Sequence, residues 1–161
     1  MKIIIVDKED NVIGSKERGN IDYEKDIYRV SALWITNTKG KILLARRAFN
    51  KKQNPGKWGP AVAGTNDEGE TYESNIIKEA EEELGLKNIK PQKGVKELVE
   101  GKYTHFTQWF YLVIDKNIKE FNYLKKEVAE IEWFTKEEVL NLIKINSDEV
   151  LKEMKNWINL F

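Results

Sequence analysis

The chain has no cysteine and a single histidine, His105, among its 161 residues. Without thiols there can be no disulfide, no thiolate metal site and no thiol nucleophile, and one imidazole is no basis for a zinc site. Charge of one sign is not in excess either, since Lys plus Arg equals Asp plus Glu at 27 each. No global field therefore draws the protein to nucleic acid or an anionic membrane, and any charge-driven function is local. Long apolar runs are missing as well: the first, Ile3 to Val6, ends at Asp7, far short of a signal segment or a membrane span. These absences lead us to expect a cytoplasmic protein without nucleic-acid or membrane partners, monomeric or homodimeric. No repeat, low-complexity tract or linker interrupts residues 1–161, so one domain is expected.

What is present reads as alternating strands and helices. Ile3–Val6 and Val12–Gly14, joined by Lys8-Glu9-Asp10-Asn11, predict an N-terminal hairpin extension over 1–20. Tyr28–Thr36 and Lys41–Arg46 form a second hairpin around Asn37-Thr38-Lys39-Gly40. Asn50 to Trp58 is an exposed loop, and Ala61-Val62-Ala63-Gly64 a short strand of small residues that lets something approach its backbone closely. Ile76, Ile77, Ala80 and Leu84 mark a helix from Thr71 to Leu84, stopped by Gly85. Val95–Tyr103, Phe106–Asp115 and Ala129–Phe134 read as further strands. Thr135 with Glu138 matches a capping box, and Ser147 is placed to cap a last helix carrying Val150, Leu151, Met154, Trp157 and Ile158. The expected class is α+β, a mixed sheet between helices.

The helix from Thr71 carries a cluster that helix stability does not explain. At 100° per residue, Glu79, Glu82 and Glu83 fall within an arc of about 100°. Each like-charge neighbour costs about 0.2–0.5 kcal/mol on an exposed helix, and the C-terminal end of the macrodipole also disfavours anions. A solvated acidic face is the bland explanation for a Glu-rich helix. A hard divalent cation turns the same repulsion into binding: Mg²⁺ takes oxygen ligands from a few carboxylates and completes its shell with phosphate and water. Upstream, Arg46, Arg47, Lys51, Lys52 and Lys57 are candidates to grip an anion. Trp58, following Pro-Gly-Lys, reads as packed beneath the loop rather than as a stacking platform.

The segment GTNDEGETYESNIIKEAEEELGL, Gly64 to Leu86, resembles the Nudix box. Gly64, Glu70, Glu79, Ala80, Glu82, Glu83, Gly85 and Leu86 match its fixed positions, and Lys78 stands where the family usually has Arg. Lys41 to Arg47, Pro55 to Trp58 and Glu127 to Trp133 extend the likeness over most of Tyr28 to Ile143. The resemblance implies the Nudix fold and hydrolysis of a diphosphate linkage in a nucleoside diphosphate derivative, with Mg²⁺ as cofactor and Mn²⁺ as a substitute. It implies Glu79, Glu82 and Glu83 as metal ligands, joined by the Ala63 carbonyl, with Glu79 also acting as base in some members. Glu70 supports the loop, Gly64 lets the backbone turn beside the metal, and Lys78 orients a Glu with a point charge in place of a guanidinium fork. Arg46, Arg47, Lys57 and Gly64 are the expected substrate contacts. Glu127 or Glu130 is the other candidate base, although solvated charge is the favoured reading of that pair.

Ile3 to Gly19 further resembles the start of type I isopentenyl diphosphate isomerases and of hydrolases that share their architecture. The isomerase needs a Cys where this chain has Ala63, a metal-binding His at Thr65 and a Glu near His105. Those groups are gone, so the resemblance favours a hydrolase over an isomerase. A non-catalytic sensor of the same fold is the third reading.

Overall fold

The computed structural model describes Met1–Phe161 throughout. Nine strands and three helices follow one another as β1 (Lys2–Val6), β2 (Val12–Glu17), β3 (Ile27–Thr36), β4 (Ile42–Arg47), β5 (Trp58–Pro60), β6 (Val62–Thr65), α1 (Tyr72–Leu84), β7 (Gln92–Val99), β8 (His105–Val113), β9 (Val128–Phe134), α2 (Lys136–Ile145) and α3 (Met154–Trp157). This is the expected α+β arrangement of a mixed sheet with helices on its faces.

Strand β3 organises the sheet. Along one edge it pairs with parallel β8 from Tyr28↔His105 to Thr36↔Val113. Its other edge is shared in turn by β1 near Tyr28, by β6 from Val30 to Leu33, and by β4 at Ile35 and Thr36. Strands β5 and β9 both pair with β4 and carry the sheet away from β6. The two-residue period of a strand sorts the core. Leu33 and Ile35 pack with Leu43, Ile76, Ala80 and Leu84 on the α1 side. Ala32 and Trp34 pack with Trp109, Val139, Val150, Met154 and Ile158 on the other.

Helix α1 begins at a full capping box, with Thr71 Oγ1 accepting from the Ser74 N–H and Ser74 Oγ from the Thr71 N–H. It ends at Gly85, whose φ of 68° is left-handed and therefore suits glycine. The capping box read from Thr135 and Glu138 opens α2. Trp58 is buried beneath the loop, with its ring edge-on to Phe134.

Two expectations need correction. The single last helix from Ser147 does not form. Ser147–Glu149 is a short 3-10 turn, Val150 bridges Trp58 in parallel, and the Leu151 N–H donates to the Trp58 carbonyl, so α3 spans only Met154–Trp157. Val150, Met154 and Ile158 are buried as their spacing implied, but pairing with the β5 backbone outcompetes helix in the first half. Strand β7 starts three residues earlier than Val95 and stops at Val99. It passes under the Tyr111 ring through Gly94, where a Cβ would lie 2.8 Å from Tyr111 Cζ.

The N-terminal hairpin is fastened by a residue read only as a turn former. Asp10, at φ 65°, is buried. Its carboxylate accepts from Arg29 Nε at 2.7 Å, Lys96 Nζ at 2.7 Å and the Tyr72 hydroxyl at 2.9 Å, while Arg29 Nη2 donates to its carbonyl. One side chain thus ties the β1–β2 turn to β3, β7 and α1. Burial alone raises the Asp10 pKa, but the bonds from Lys96, Arg29 and Tyr72 outweigh it and hold the group below its usual 3.8. A depressed carboxylate contributes stability above its unfolded pKa and loses it as pH falls through the folded value. Asp10→Ala is expected to cost about 3 kcal/mol near neutral pH, because it leaves the half-buried Arg29 without its partner. Denaturant unfolding should show that difference shrinking as pH drops below about 3.8.

Candidate active site

A cavity of about 1100 Å³ opens where β4 and β5 part from β6. Its floor comes from alternate residues of neighbouring strands: Ala32, Ala63 and Trp109, then Val30, Thr65 and Thr107, then Tyr28 and His105. The same face of each strand points one way, so these side chains come together although they lie far apart in sequence.

The loop between β6 and α1 is locked by charge. Lys78 Nζ is ion-paired with Glu70, reaches Asp67 Oδ2 at 3.3 Å and lies 3.8 Å from Glu79 Oε1. Glu70 Oε2 also accepts from the Asp67 N–H at 2.9 Å and Asn75 Nδ2 at 2.8 Å. Burial pushes the Glu70 pKa up, yet the Lys78, Asp67 and Asn75 donors prevail and leave it lowered. For Lys78, burial works toward the neutral amine, and its contacts with Glu70 and Asp67 overcome this and raise the pKa. Glu70 and Lys78 thus brace the loop against the helix.

Glu79 and Glu83 line the cavity together, one helical turn apart. Glu79 lies directly over Gly64, where a Cβ would come within 2.6 Å of the carboxyl carbon and 2.9 Å of Oε1. Any larger residue at that position would displace the carboxylate. Burial raises the Glu79 pKa, Lys78 lowers it, and Glu82, Glu70 and Asp67 raise it again, with a net upward shift. Glu83 is pushed up to about 8 by burial and by Glu79 and Glu127, against weaker pulls from Lys51 and Arg47. Glu82 is exposed and faces a smaller adjoining cleft, also lined by Arg18, Lys51, Glu79, Glu83 and Glu127. The three carboxylates therefore divide into a sheltered pair and one solvent-facing neighbour. No three acidic or imidazole side chains converge into a ready-made metal cage. The sheltered pair nonetheless fits a hard divalent cation: it offers oxygen donors, its charge is only partly offset by Lys78, Lys51 and Arg47, and it leaves coordination positions open for water and phosphate.

The basic candidates are placed unequally. Arg47 lines the cavity, feels Glu83 and Glu127, and donates from Nε to the Gln53 carbonyl at 2.9 Å. Burial lowers its pKa, and those two carboxylates oppose the shift. Arg46 also borders the cavity, but its guanidinium is turned to the Gly56 carbonyl (2.8 Å), Glu149 (3.5 Å) and Glu130 (3.8 Å). Lys51 is paired with Glu127. Lys57 sits half-buried on the loop, outside the cavity lining, while Ala63 and Gly64 form part of the wall. Glu130 is also outside the lining.

Several lining residues were not singled out from sequence. Arg18 and Tyr23 arrive from the segment between β2 and β3, and Glu153 and Trp157 from the C-terminal segment. The pairing of β2 with β1 and of β1 with β3, and the return of the last segment beside β5, bring them near, and no local pattern signals either.

The burial of Glu83 beside Glu79 has a measurable consequence in the metal-free protein. A carboxyl whose folded pKa lies near 8, against 4.5 for an ordinary Glu, binds a proton in the native state that the unfolded chain has released. Stability is then fully present below about 4.5 and falls as pH rises through about 8. With a chelator present, urea unfolding across that window should show this decline, and Glu83→Gln should flatten it. An unchanged slope in the variant would count against the assignment.

Comparison with known proteins places the fold. The description of the NUDIX domain matches residues 26–157. An uncharacterised Nudix hydrolase of Yersinia pestis is 28% identical, over 96% of this chain and 84% of its own length. A protein named isopentenyl-diphosphate Delta-isomerase 2, from Photorhabdus laumondii, is 26% identical, over 98% of this chain and 77% of its own. Among solved structures, a Deinococcus radiodurans protein superposes with a TM-score of 0.83 at 21% identity, covering 99% of this chain and 98% of that one. With its domain matched from strand β3 to helix α3, the chain belongs to the Nudix family.

Proposed function

We propose that residues 1–161 act as one cytoplasmic hydrolase unit that cuts the diphosphate linkage of a nucleoside diphosphate derivative or a related organic diphosphate, with Mg²⁺ as cofactor and Mn²⁺ able to replace it. The observation that carries this reading is the sheltered Glu79–Glu83 pair, only partly offset by nearby cations and facing a cavity large enough for such a substrate. Glu79, Glu83, Glu82 and the Ala63 carbonyl would hold the cation, which when bound would neutralise phosphate oxygens and make water more acidic. Glu79, fixed over Gly64, is the group placed to take a proton from attacking water. Lys78 and Glu70 hold α1 in position for this and touch no reacting atom. Arg47 meets the phosphates from the cavity side, Arg46 and Lys57 support the loop around them, and Gly64 keeps the approach open.

The isomerase reading keeps some support from the Photorhabdus relative's name. Against it stand Ala63, Thr65 and His105, which line the cavity without a thiol or carboxylate to move protons on an alkene. Purified protein incubated with Mg²⁺ and a panel of diphosphates, nucleotides and isopentenyl diphosphate included, is expected to release phosphate or monophosphate. Glu83→Gln should lower kcat by 100-fold or more, on the order of losing one principal electrostatic contact, while isothermal titration shows weakened Mg²⁺ uptake. Isomerisation without hydrolysis, or binding that the variant leaves intact with no turnover in either protein, would overturn the proposal.

A further inference from the structure

The far end of the cavity floor carries a polar atom that the hydrolytic machinery does not use. His105 opens β8 and sits opposite Tyr28 of β3, with the two rings stacked at 5.2 Å between centroids and 25° between planes. Its Nδ1 lies 2.7 Å from the Tyr103 carbonyl. A carbonyl only accepts, so Nδ1 carries the hydrogen and Nε2 is left as a bare lone pair. Burial lowers the pKa of the ring and supports that neutral form against the pull of the Tyr103 carbonyl, Glu153 and Glu97. Nε2 makes no hydrogen bond within the protein, is not sealed away from solvent, and belongs to a ring that lines the cavity. Stacking on Tyr28 and the Nδ1 bond fix the imidazole at two points, so this acceptor is held in one direction. It lies two residues beyond the Val30–Thr65–Thr107 row, about 7 Å further along the strands. That places it at the end of the floor away from Ala63, where Tyr23 and Tyr103 meet edge to face at 4.9 Å.

We infer that His105 is a specificity-determining residue, whose Nε2 accepts a hydrogen bond from an O–H or N–H donor on the organic part of the diphosphate. This inference rests on the hydrolase reading of the same cavity. A substrate with such a donor satisfies the lone pair, whereas a hydrocarbon chain strips it of water and leaves it unpaired. The site thereby selects nucleoside-type or sugar-type diphosphates and rejects prenyl ones. Two sources supply the donor, an exocyclic amino group of a base or a hydroxyl of the sugar, and matched substrates tell them apart.

The test compares adenosine diphosphate with its purine-riboside counterpart, which lacks the amino group, with the 2′-deoxy and 3′-deoxy nucleotides, and with isopentenyl diphosphate. Each is measured for kcat/KM and, by calorimetry with Mg²⁺, for equilibrium affinity. Deleting one donor is expected to weaken the wild-type protein about tenfold, carried by KM, with isopentenyl diphosphate weaker still. Loss on removing the amino group locates the base at His105, and loss on removing a hydroxyl locates the sugar; either supports the inference. His105→Phe, which keeps a ring on Tyr28, should erase the preference while leaving the poorest substrate within about threefold. His105→Gln, which returns an acceptor, should restore part of it. Equal values across the matched set in the wild-type protein, or a uniform loss in His105→Phe with unchanged preference, would overturn the inference whether or not the variant folds well. Selective binding without turnover would instead sink the hydrolase reading and leave the role of His105 standing.

Discussion

The amine of Lys78 is the fixed point about which the site is built, because its ion pair with Glu70 and its contact with Asp67 join the loop after β6 to the middle of α1. Without that bridge the loop would keep only the Asn75 bonds to Glu70 and to the Thr65 carbonyl as polar ties to the helix. The bridge also decides which carboxylates stay reactive. Lys78 is committed to Glu70 and Asp67 and stands 3.8 Å from Glu79, while Lys51 is committed to Glu127. Glu79 and Glu83 are thus left sheltered and only weakly balanced by cations. An ammonium serves here where the family usually places a guanidinium: it binds the oxygens of Glu70 and Asp67 from one point, in place of a planar fork.

The sheet determines what faces this pair. Because β3 shares one edge among β1, β6 and β4, the strands on that side diverge, and the gap between β6 and the β4–β5 hairpin becomes the cavity. Its walls come from separated parts of the chain. The N-terminal hairpin contributes Arg18 while being pinned through Asp10, and the C-terminal segment closes the opposite side after Val150 has joined β5. Residues 1–25 lie outside the matched family domain, yet they supply part of this wall.

Local signals carried most of the fold. The apolar period of α1, both capping boxes and the Gly85 stop could be read directly, because each depends on residues within a few positions of one another. The glutamates were legible for the same reason, since 3.6-residue periodicity places them without knowledge of anything else. What escaped was set by distant partners. Asp10 looks like any turn former until Arg29, Lys96 and Tyr72 close around it. Val150 and Leu151 follow a helical pattern that pairing with Trp58 overrides. The division of the carboxylates into a sheltered pair and an exposed Glu82 depends on how deeply α1 sinks beside β6, which helical geometry alone does not specify.

One small arrangement gives the molecule a built-in reporter. A single oxygen of Glu97 accepts from the indole nitrogens of both Trp109, at 3.3 Å, and Trp157, at 2.9 Å, and both rings border the cavity. Two of the five tryptophans are thereby tethered to one carboxylate at the cavity wall, with Trp109 on the floor and Trp157 on the closing segment. Any occupant that shifts the closing segment against the floor alters the polarity around both indoles at once, so intrinsic emission registers filling of the cavity without an added dye.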